Sequence, residues 1–496
     1  YENRRTHVQN STDRAVLAAA NIKQTVPAKE VVKDYLAKVG IVVSDDDILV
    51  RQVGTLPVVT GRQVAVKVDA DSPTLLMDWI GIDSLPYGSM SQAEQSVNDV
   101  EVSLILDVSG SMGWNGKLAN MQTAAKDFVD GVLEGADDNR VSVSLVPYST
   151  QVSAGPELID QLVTEHDHEF SHCVNFVEED FETTAIQRVR PMVDEDGNLV
   201  EDGDGNPIME PIPLSQTASF DPFKGWNSNR NHQYPVCRDA NYVDILPWSN
   251  NAQALKDQID LFSASGNTSI DVAMKWGTAL LDASMNQALN NLQDDDTNGI
   301  TIDAEFSVRP RPHDYPDVLK FIVLMTDGIN TTQYQLKDEA KEGMSDMYWA
   351  YDDHWIKVGD NYWNMDDGCW HYQSQNTCNG SRTPDEDDRL SKLEMWNEMS
   401  MAWRAYNGFY DRILPTRARH YYEQIGAIAG YDGPREPIYA SSGNPNADTK
   451  DTRLASADVM EACASSPQHF YRVNVQDIQY AFASIKNQIN QLKLTQ

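Results

Sequence analysis

Residues 102–112 read VSLILDVSGSM. The run opens with five residues that are apolar except for one serine, and apolar and polar side chains do not alternate. A run of this kind is typical of a strand buried on both faces of a parallel sheet. Asp107, Ser109 and Ser111 follow at alternate positions, and Gly110 permits a sharp turn between them. The segment predicts three oxygen-bearing side chains at the carboxyl end of a buried strand, where α/β proteins bind their ligands.

Similar apolar runs alternate with segments of helical period along the rest of the chain. The runs predicted as strands are 141–147, 321–325, 437–440 and 469–473. The segments predicted as helices are 118–133, 252–262, 270–281, 418–429, 455–464 and 477–492. Repetition of strand and helix indicates an α/β fold with a doubly wound, mostly parallel sheet.

The residues before this repetition show a different pattern. Residues 1–40 have helical periodicity, and alternating segments at 47–56 and 63–70 are typical of a hairpin. We therefore predict a helix plus β module followed by an α/β domain with two inserted subdomains, since long structureless loops are rare inside a domain. The predicted boundaries are 1–98 for the module, 99–496 for the domain, 99–150, 251–330 and 416–496 for its core, and 151–250 and 331–415 for the insertions.

Two loops that follow later in the chain carry further side chains with oxygen atoms. Residues 266–269 (GNTS) precede the helix predicted from residue 270, and residues 326–328 (TDG) close the apolar run 321–325. Both loops are expected at the same sheet edge as the first. Hydroxyl and carboxylate oxygens are hard ligands, which suit Mg²⁺, Mn²⁺ or Ca²⁺ better than zinc or copper.

This triple pattern resembles the metal-ion-dependent adhesion site of von Willebrand factor A domains. The resemblance implies a Rossmann-like fold and a divalent cation, with Mg²⁺ favoured over Ca²⁺ or Mn²⁺. It also implies that one coordination position of the ion is left for an acidic group on a partner protein or surface. The residues that it assigns to the cation are Asp107, Ser109, Ser111, Thr268 and Asp327.

The two ends of the chain carry a second resemblance. Residues 8–20 (VQNSTDRAVLAAA), Trp276-Gly277 and the tail from residue 460 (MEACA, then HFY at 469–471) are similar to TadG-like proteins of tight-adherence pilus systems. This resemblance implies a pilin-like module at the start and a location outside the inner membrane. It further implies pilin-like or pilus-assembly subunits, or other copies of the chain, as partners. A membrane anchor upstream of Tyr1 is also expected.

An acidic loop after residue 293 offers a second cation site. Asp294, Asp296, Asn298 and Glu305 occupy positions 1, 3, 5 and 12 of the EF-hand pattern, with Gly299 at position 6. Prolines soon after Glu305 oppose an exiting helix, so an acidic surface loop is the favoured alternative. The Asp-Gly clusters at 194–198 and 202–206 lack a glutamate at the twelfth position and predict hairpin turns.

The five cysteines indicate two disulfides. Cys369 and Cys378 lie nine residues apart in a polar, aromatic loop, while Cys173 and Cys237 share one long irregular stretch. Two such bonds would place the protein in an oxidising compartment, and buried free thiols are the alternative. Cys463 lies on a predicted helix and is expected to be a small buried side chain.

Two more clusters have both functional and structural interpretations. His166, His168 and His172 would approach one another on an extended segment, but without a second ligand pair a solvated loop is favoured over a metal site. The dense Trp and Tyr residues between 348 and 403 would form either a face for glycan stacking or partner binding, or the core of the second insertion. The core interpretation is favoured.

The overall charge narrows the possible partners. The chain has 496 residues, and 39 Lys and Arg against 75 Asp and Glu give a net charge of −36. A polyanion repels nucleic acid and anionic lipid surfaces, so neither is an expected partner. The 41% of hydrophobic residues nevertheless supplies ample core. No apolar run reaches the length of a membrane helix.

The sequence therefore predicts an extracytoplasmic, cation-dependent adhesion or assembly protein. It contains no phosphate-binding loop, no HExxH motif and no GxSxG motif in an elbow context, so an enzyme is not expected. A structural filament or surface-layer subunit, in which the metal only stabilises the fold, is the first alternative. A metal-dependent hydrolase is the second.

Overall fold

The structure is a computed structural model, and it describes most of the chain. The described residues are 2–21, 25–55, 58–73, 80–81, 83–96, 99–133, 140–165, 168–221, 230–294, 300–315, 318–327, 330–331, 333–336, 338–371, 383–400, 403, 435–437, 460–461, 463–471 and 477–494. Two units are distinguished. Unit 1 comprises Tyr1–Asp99, Pro316–Leu319 and Asn487–Gln496, and unit 2 comprises Val100–Tyr315 and Lys320–Lys486.

The described part of the chain contains both helices and strands. The helices are α1 (Glu2–Ala20), α2 (Ala28–Ala37), α3 (Lys117–Leu133), α4 (Pro156–Ile159), α5 (Ala252–Leu261), α6 (Ile270–Ala279), α7 (Asn286–Asp294), α8 (Asp338–Lys341), α9 (Lys392–Glu398) and α10 (Ile478–Leu494). The strands are β1 (Ile48–Thr55), β2 (Val58–Pro73), β3 (Ser84–Ser96), β4 (Asp99–Asp107), β5 (Val141–Tyr148), β6 (Val174–Asn175), β7 (Val189–Pro191), β8 (Met209–Pro211), β9 (Ser215–Gln216), β10 (Leu246–Ser249), β11 (Val318–Met325), β12 (Tyr334–Leu336), β13 (Met344–Ala350), β14 (Asp353–Val358), β15 (Asn361–Asn364), β16 (Cys369–His371), β17 (Arg389–Ser391) and β18 (Arg435–Pro437).

Unit 1 packs α1 and α2 on an antiparallel sheet of β1, β2 and β3. The predicted hairpin is confirmed, while β3 escaped the sequence prediction. A polar contact joins the helix to the sheet, because the buried Thr12 hydroxyl lies 2.8 Å from the Ser89 hydroxyl and 2.7 Å from the Ser91 hydroxyl. At the end of α1, the buried Arg62 guanidinium donates to the carbonyl of Asn21 (2.9 Å) and so caps the helix.

The central sheet of unit 2 has the strand order β10-β5-β4-β11. Strands β4 and β5 are parallel, with Asp107 opposite Tyr148, whereas β10 runs antiparallel to β5. The sheet is therefore mixed, which agrees with the predicted α/β class, and the antiparallel β10 departs from the parallel direction predicted for most of the sheet. Residues of β4 and β5 are buried on both faces, as their uninterrupted apolar runs predict.

Helix α6 packs directly on β4. The backbone of Gly277 approaches the strand closely, since the Ser103 hydroxyl donates to the Gly277 carbonyl at 2.6 Å. A Cβ atom at position 277 would lie 2.3 Å from Cδ1 of Ile105. Trp276 and Ile105 belong to the same buried cluster. On another helix, Phe128 of α3 meets Phe482 of α10 edge to face, with ring centroids 5.8 Å apart.

One predicted strand is corrected by the structure, and another lies mostly outside the described residues. Of 437–440 only Pro437 is described, and it ends β18, which pairs antiparallel with β12 in a sheet of its own. Within 469–473, His469 ends the 3-10 helix Pro467–His469 and the next two residues are not extended into a strand. Short apolar runs do not distinguish strands from other segments, which explains the error at 469–471. The helix predicted at 418–429 lies outside the described residues.

The first insertion is a set of small two-stranded sheets held to α6. Strands β6 and β9 pair, as do β7 and β8, and both predicted Asp-Gly turns are present. Cys173 and Cys237 form the predicted disulfide. The buried ammonium of Lys275 in α6 donates to the carbonyls of Asp180, Thr183 (2.9 Å) and Ala185 (2.6 Å) in the insertion.

The second insertion contains an antiparallel sheet with the order β16-β15-β14-β13-β17. Its aromatic residues form the core, as predicted: Trp355, Trp363 and Trp396 are buried, while Trp349 and Tyr351 remain partly exposed. Cys369 is disulfide-bonded, and its predicted partner Cys378 lies outside the described residues, as does Tyr372.

The prediction for Cys463 is wrong. Its side chain is exposed, and Met460 is the residue of this segment that packs against the core. In the described part of the chain, no helix combines the length and the apolar character that crossing a bilayer requires.

Substitution of Gly277 tests the packing of α6 on β4. We expect Gly277→Ala to lower the free energy of unfolding by about 1–3 kcal/mol, because the new methyl group would collide with Ile105 in a filled core. Gly131→Ala in α3 is the matched control, since there the atoms nearest to the added methyl group belong to the flexible side chain of Lys486. The control should be neutral or stabilising by up to about 1 kcal/mol through helix propensity. Urea unfolding of both variants measures the difference, and equal stabilities would contradict the packing argument.

Candidate metal site

The first loop of the site begins where β4 ends. The Val108 amide donates to the Tyr148 carbonyl at 2.8 Å, which extends the pairing of β4 with β5 by one residue. The chain then turns through the 3-10 helix Gly110–Gly113, and Met112 is fully buried beneath it. Because the buried side chain of Met112 fixes the conformation of the turn, Ser109 and Ser111 are held next to Asp107.

Asp107 is fully buried and accepts two hydrogen bonds. The Ser109 amide donates to Oδ1 and the Thr326 hydroxyl donates to Oδ2, each at 2.8 Å. Burial nevertheless raises the pKa of the Asp107 carboxyl from 3.8 to about 6, and the negative charge of Asp327 adds to this effect. Burial also raises the pKa of the Tyr148 phenol well above its ordinary value, with the charge of Asp107 as the next cause. A bound cation would compensate the buried charge of Asp107.

Hydrogen bonds continue from the first loop to Asp327. The hydroxyls of Ser109 and Ser111 lie 3.1 Å apart, and the Ser111 hydroxyl donates to Oδ1 of Asp327 at 2.7 Å. The other oxygen of Asp327 accepts from the ammonium of Lys117 at 2.5 Å. One side chain after another thus links the end of β4 to the loop that follows β11.

The loop that carries Thr268 lies against both of the others. Its Gly266 carbonyl accepts from the Gly110 amide at 2.9 Å. The Thr268 amide donates to the Thr331 hydroxyl, and the Thr331 amide donates to the Thr268 carbonyl, each at 2.8 Å. Gly266 has a φ of +82°, and a Cβ atom there would lie 2.7 Å from the Thr150 hydroxyl, so only glycine fits.

The structure thus brings four of the five predicted residues into one hydrogen-bonded chain, and it places the loop of Thr268 beside them. The donors are two carboxylates and three hydroxyls, which is a hard-oxygen set of the kind that Mg²⁺, Mn²⁺ and Ca²⁺ bind. The Lys117 ammonium already occupies one carboxylate as a cation would. The residues present therefore fit a divalent ion, and the ligand assignment itself stays a prediction.

Two residues of the site were not predicted. Thr326 directly precedes the predicted ligand Asp327, and its hydroxyl bonds to Asp107 instead of pointing to solvent. Lys117 is the first residue of α3, where a cation is unfavourable next to the positive end of the helix dipole. That misplaced charge was the available signal that an acidic partner lies nearby.

The other candidate sites gain little from the structure. Asp294 ends α7 and Glu305 lies on an exposed 3-10 helix, while Asp296 and Asn298 fall outside the described residues. His168 is buried and stacks on Phe170 at 4.9 Å. No group of three or more His, Cys, Asp or Glu able to hold a metal occurs in the ranges that the structure describes, and His166 lies outside them.

Comparison with known proteins shows a distant structural resemblance. No protein-family model matches the chain, and no curated protein does. The chain resembles the vWF domain of the type V pili tip protein Mfa5 from Porphyromonas gingivalis, at 12% identity and a TM-score of 0.27, over 81% of this chain and 98% of that one. It also resembles the PilB minor pilin from Streptococcus sanguinis, at 13% identity and a TM-score of 0.26, over 90% and 77% of the two chains.

A third similar structure is the pilus adhesin SpaC from Lactobacillus rhamnosus GG, at 12% identity and a TM-score of 0.25. The match covers 90% of this chain and 35% of SpaC. The chain likewise spans 29% of a structure that holds three N-terminal domains of Mfa5. Identities and TM-scores this low describe a general likeness of fold, so the properties of those proteins are not carried over to this chain.

The raised pKa of Asp107 predicts how stability depends on pH. The folded state holds this proton more tightly than the unfolded chain does, so ionisation of Asp107 destabilises the fold as the pH rises from 4 through 6. At about 1.4 kcal/mol per pH unit between the two pKa values, the cost at pH 7 is about 3 kcal/mol. Without divalent cations, Asp107→Asn should therefore raise the free energy of unfolding at pH 7 by up to that amount, and by almost nothing at pH 4.

Urea unfolding at pH 7 and pH 4, in a buffer with chelator, measures the effect. Asp130→Asn is the control, because Asp130 is an exposed carboxylate on α3 that pairs with Lys256. It should show no comparable change between the two pH values. An Asp107→Asn variant that is equally destabilised at both would mean that the hydrogen bonds of Asp107 outweigh its burial.

Proposed function

We propose that this chain is an extracytoplasmic adhesion or assembly protein that binds a divalent cation and, through the cation, an acidic group on a partner. Asp107, Ser109, Ser111, Thr268 and Asp327 hold the ion, most favourably Mg²⁺, with Ca²⁺ or Mn²⁺ as alternatives. The partner is a protein or surface ligand, and pilin-like or pilus-assembly subunits are the class that the sequence resemblance favours. The chain carries out no catalysis at this site.

The hydrogen-bonded chain from Asp107 to Asp327 is the observation that supports this proposal most strongly. It joins two predicted ligands, Asp107 and Asp327, that are 220 positions apart in the sequence. Ser111 lies in the middle of this chain of hydrogen bonds and is exposed to solvent. An ion held by these groups would therefore be reachable from outside the protein. A partner carboxylate that completes its coordination would add a charge-assisted contact in a partly desolvated site.

The disulfides support the proposed location. Cys173 and Cys237 are bonded, and Cys369 is bonded as well. Disulfides persist in secreted and surface proteins and are rare in a reducing cytosol. A location outside the cytoplasm is the one in which this chain would keep them.

The filament alternative has less support in the N-terminal unit. It needs α1 to pack against neighbouring subunits, yet Val8, Ala15, Val16 and Ala19 of α1 are buried within unit 1 itself. Self-association of the chain that persists in a chelator would nevertheless favour a structural subunit. The hydrolase alternative would require turnover of an ester or phosphate substrate.

Removal of the central carboxylate tests the cation site. We expect Asp107→Ala to abolish binding of Mg²⁺, Mn²⁺ and Ca²⁺ in a calorimetric titration, because the deepest ligand and half of the negative charge are lost. Asp130→Ala, which removes an exposed carboxylate from α3, should leave binding unchanged. Circular dichroism checks that both variants fold.

The same pair of variants tests partner binding. Cells or surfaces that retain the wild-type protein in the presence of a divalent cation should not retain Asp107→Ala, and a chelator should release the wild type. Equal cation binding by wild type and Asp107→Ala would refute the proposed site. Retention of the wild type in chelator would refute the role of the cation in adhesion.

A further inference from the structure

Lys117 forms an ion pair inside the candidate metal site. Its ammonium lies 2.5 Å from Oδ2 of Asp327, and the side chains of Lys117 and Asp327 are 22% and 5% exposed. The pair is therefore largely shielded from water, where ion pairs are stronger than at an open surface. The same carboxylate accepts from Ser111 through its other oxygen, so both of its oxygens are engaged.

The position of Lys117 in its helix is unfavourable by itself. It is the first residue of α3, a helix of 17 residues, and the free amides at a helix start repel a positive charge. The contact with Asp327 offsets that repulsion. Lys117 is thus held at the site by the carboxylate and not by the helix.

The Lys117 ammonium and a divalent ion would both bind to the carboxylate of Asp327. Both need its negative charge, and a divalent ion bound beside Ser111 would lie within a few Å of the lysine charge. Like charges at such distances repel each other strongly in a site with little water. Either Lys117 moves away when the ion binds, which loses its ion pair, or it stays and repels the ion. Both outcomes weaken ion binding.

We propose that Lys117 is a built-in competitor that lowers the affinity of the site for divalent cations. This inference rests on the proposed function, because it concerns the same donors. With Lys117 present, a divalent ion has to displace the lysine ammonium from Asp327. Without Lys117, the ion would bind two carboxylates that have no competing cation beside them. Lys117 is a positioning and affinity-setting residue, and it is not a ligand of the ion.

The test is calorimetric titration of Mg²⁺ and Mn²⁺ into the full chain at pH 7.5. We expect Lys117→Met to bind both ions about tenfold more tightly than wild type, which corresponds to about 1.4 kcal/mol. Lys117→Gln keeps a hydrogen-bond donor for Asp327 without the charge, and it should also bind more tightly. It serves as the second variant if Lys117→Met folds poorly. Lys117→Arg keeps the charge and should retain the wild-type affinity.

Lys126→Met provides the control for net charge. Lys126 lies on the same helix and pairs with Asp260 outside the site, so its removal changes the charge of the protein equally. Its Kd should equal that of wild type. Tighter binding by Lys126→Met or by Lys117→Arg would overturn the inference, because the effect would then not come from the charge at position 117.

The outcomes separate this inference from the function on which it rests. If wild type binds the ions and both uncharged variants bind equally or more weakly, Lys117 does not compete and only this inference fails. If neither wild type nor the uncharged variants bind any ion, the metal site itself fails and the inference fails with it. Tighter binding by both uncharged variants, with wild-type affinity in Lys117→Arg and Lys126→Met, supports it.

Discussion

Asp107 and Asp327 belong to different loops, and the Ser109 amide together with the hydroxyls of Ser109 and Ser111 joins them across the end of β4. Burial of the Asp107 carboxylate is unfavourable, as its raised pKa shows, and the negative charge of Asp327 adds to this cost. The surrounding structure holds both carboxylates in place. The buried Met112 fixes the turn, and the loops that follow β4 and precede α6 bond to each other through Gly110 and Gly266. The architecture at this sheet edge thus keeps a carboxylate buried whose charge a cation would compensate.

Much of this arrangement was predictable because the relevant signals are local. A run such as residues 102–106 specifies a buried strand, and the residues that end it must lie at the carboxyl edge of the sheet. Two such ends, together with the loop that precedes α6, predict three neighbouring loops without any knowledge of their detailed contacts. The hairpin of unit 1 and the Asp-Gly turns of the first insertion were predictable for the same reason, since alternation and turn residues act over a few positions.

The features that escaped prediction depend on contacts between distant segments. Strand β10 has four residues, one of them Pro247, and its place beside β5 is set by the return of the chain from the first insertion. The exposure of Cys463 depends on which side of its segment meets the core. Thr326 and Lys117 contribute through partners some 200 positions away, at Asp107 and Asp327, so no spacing rule could identify them.

Lys275 has a consequence for any shortened version of this domain. Its ammonium is buried in α6 and has the carbonyls of Asp180, Thr183 and Ala185 as its acceptors. All three acceptors belong to the first insertion. A minimal domain made by excising that insertion would remove all three acceptors from the helix that follows Thr268. The design of a compact scaffold from this chain therefore has to provide water or new acceptors for this ammonium, or replace the residue at position 275.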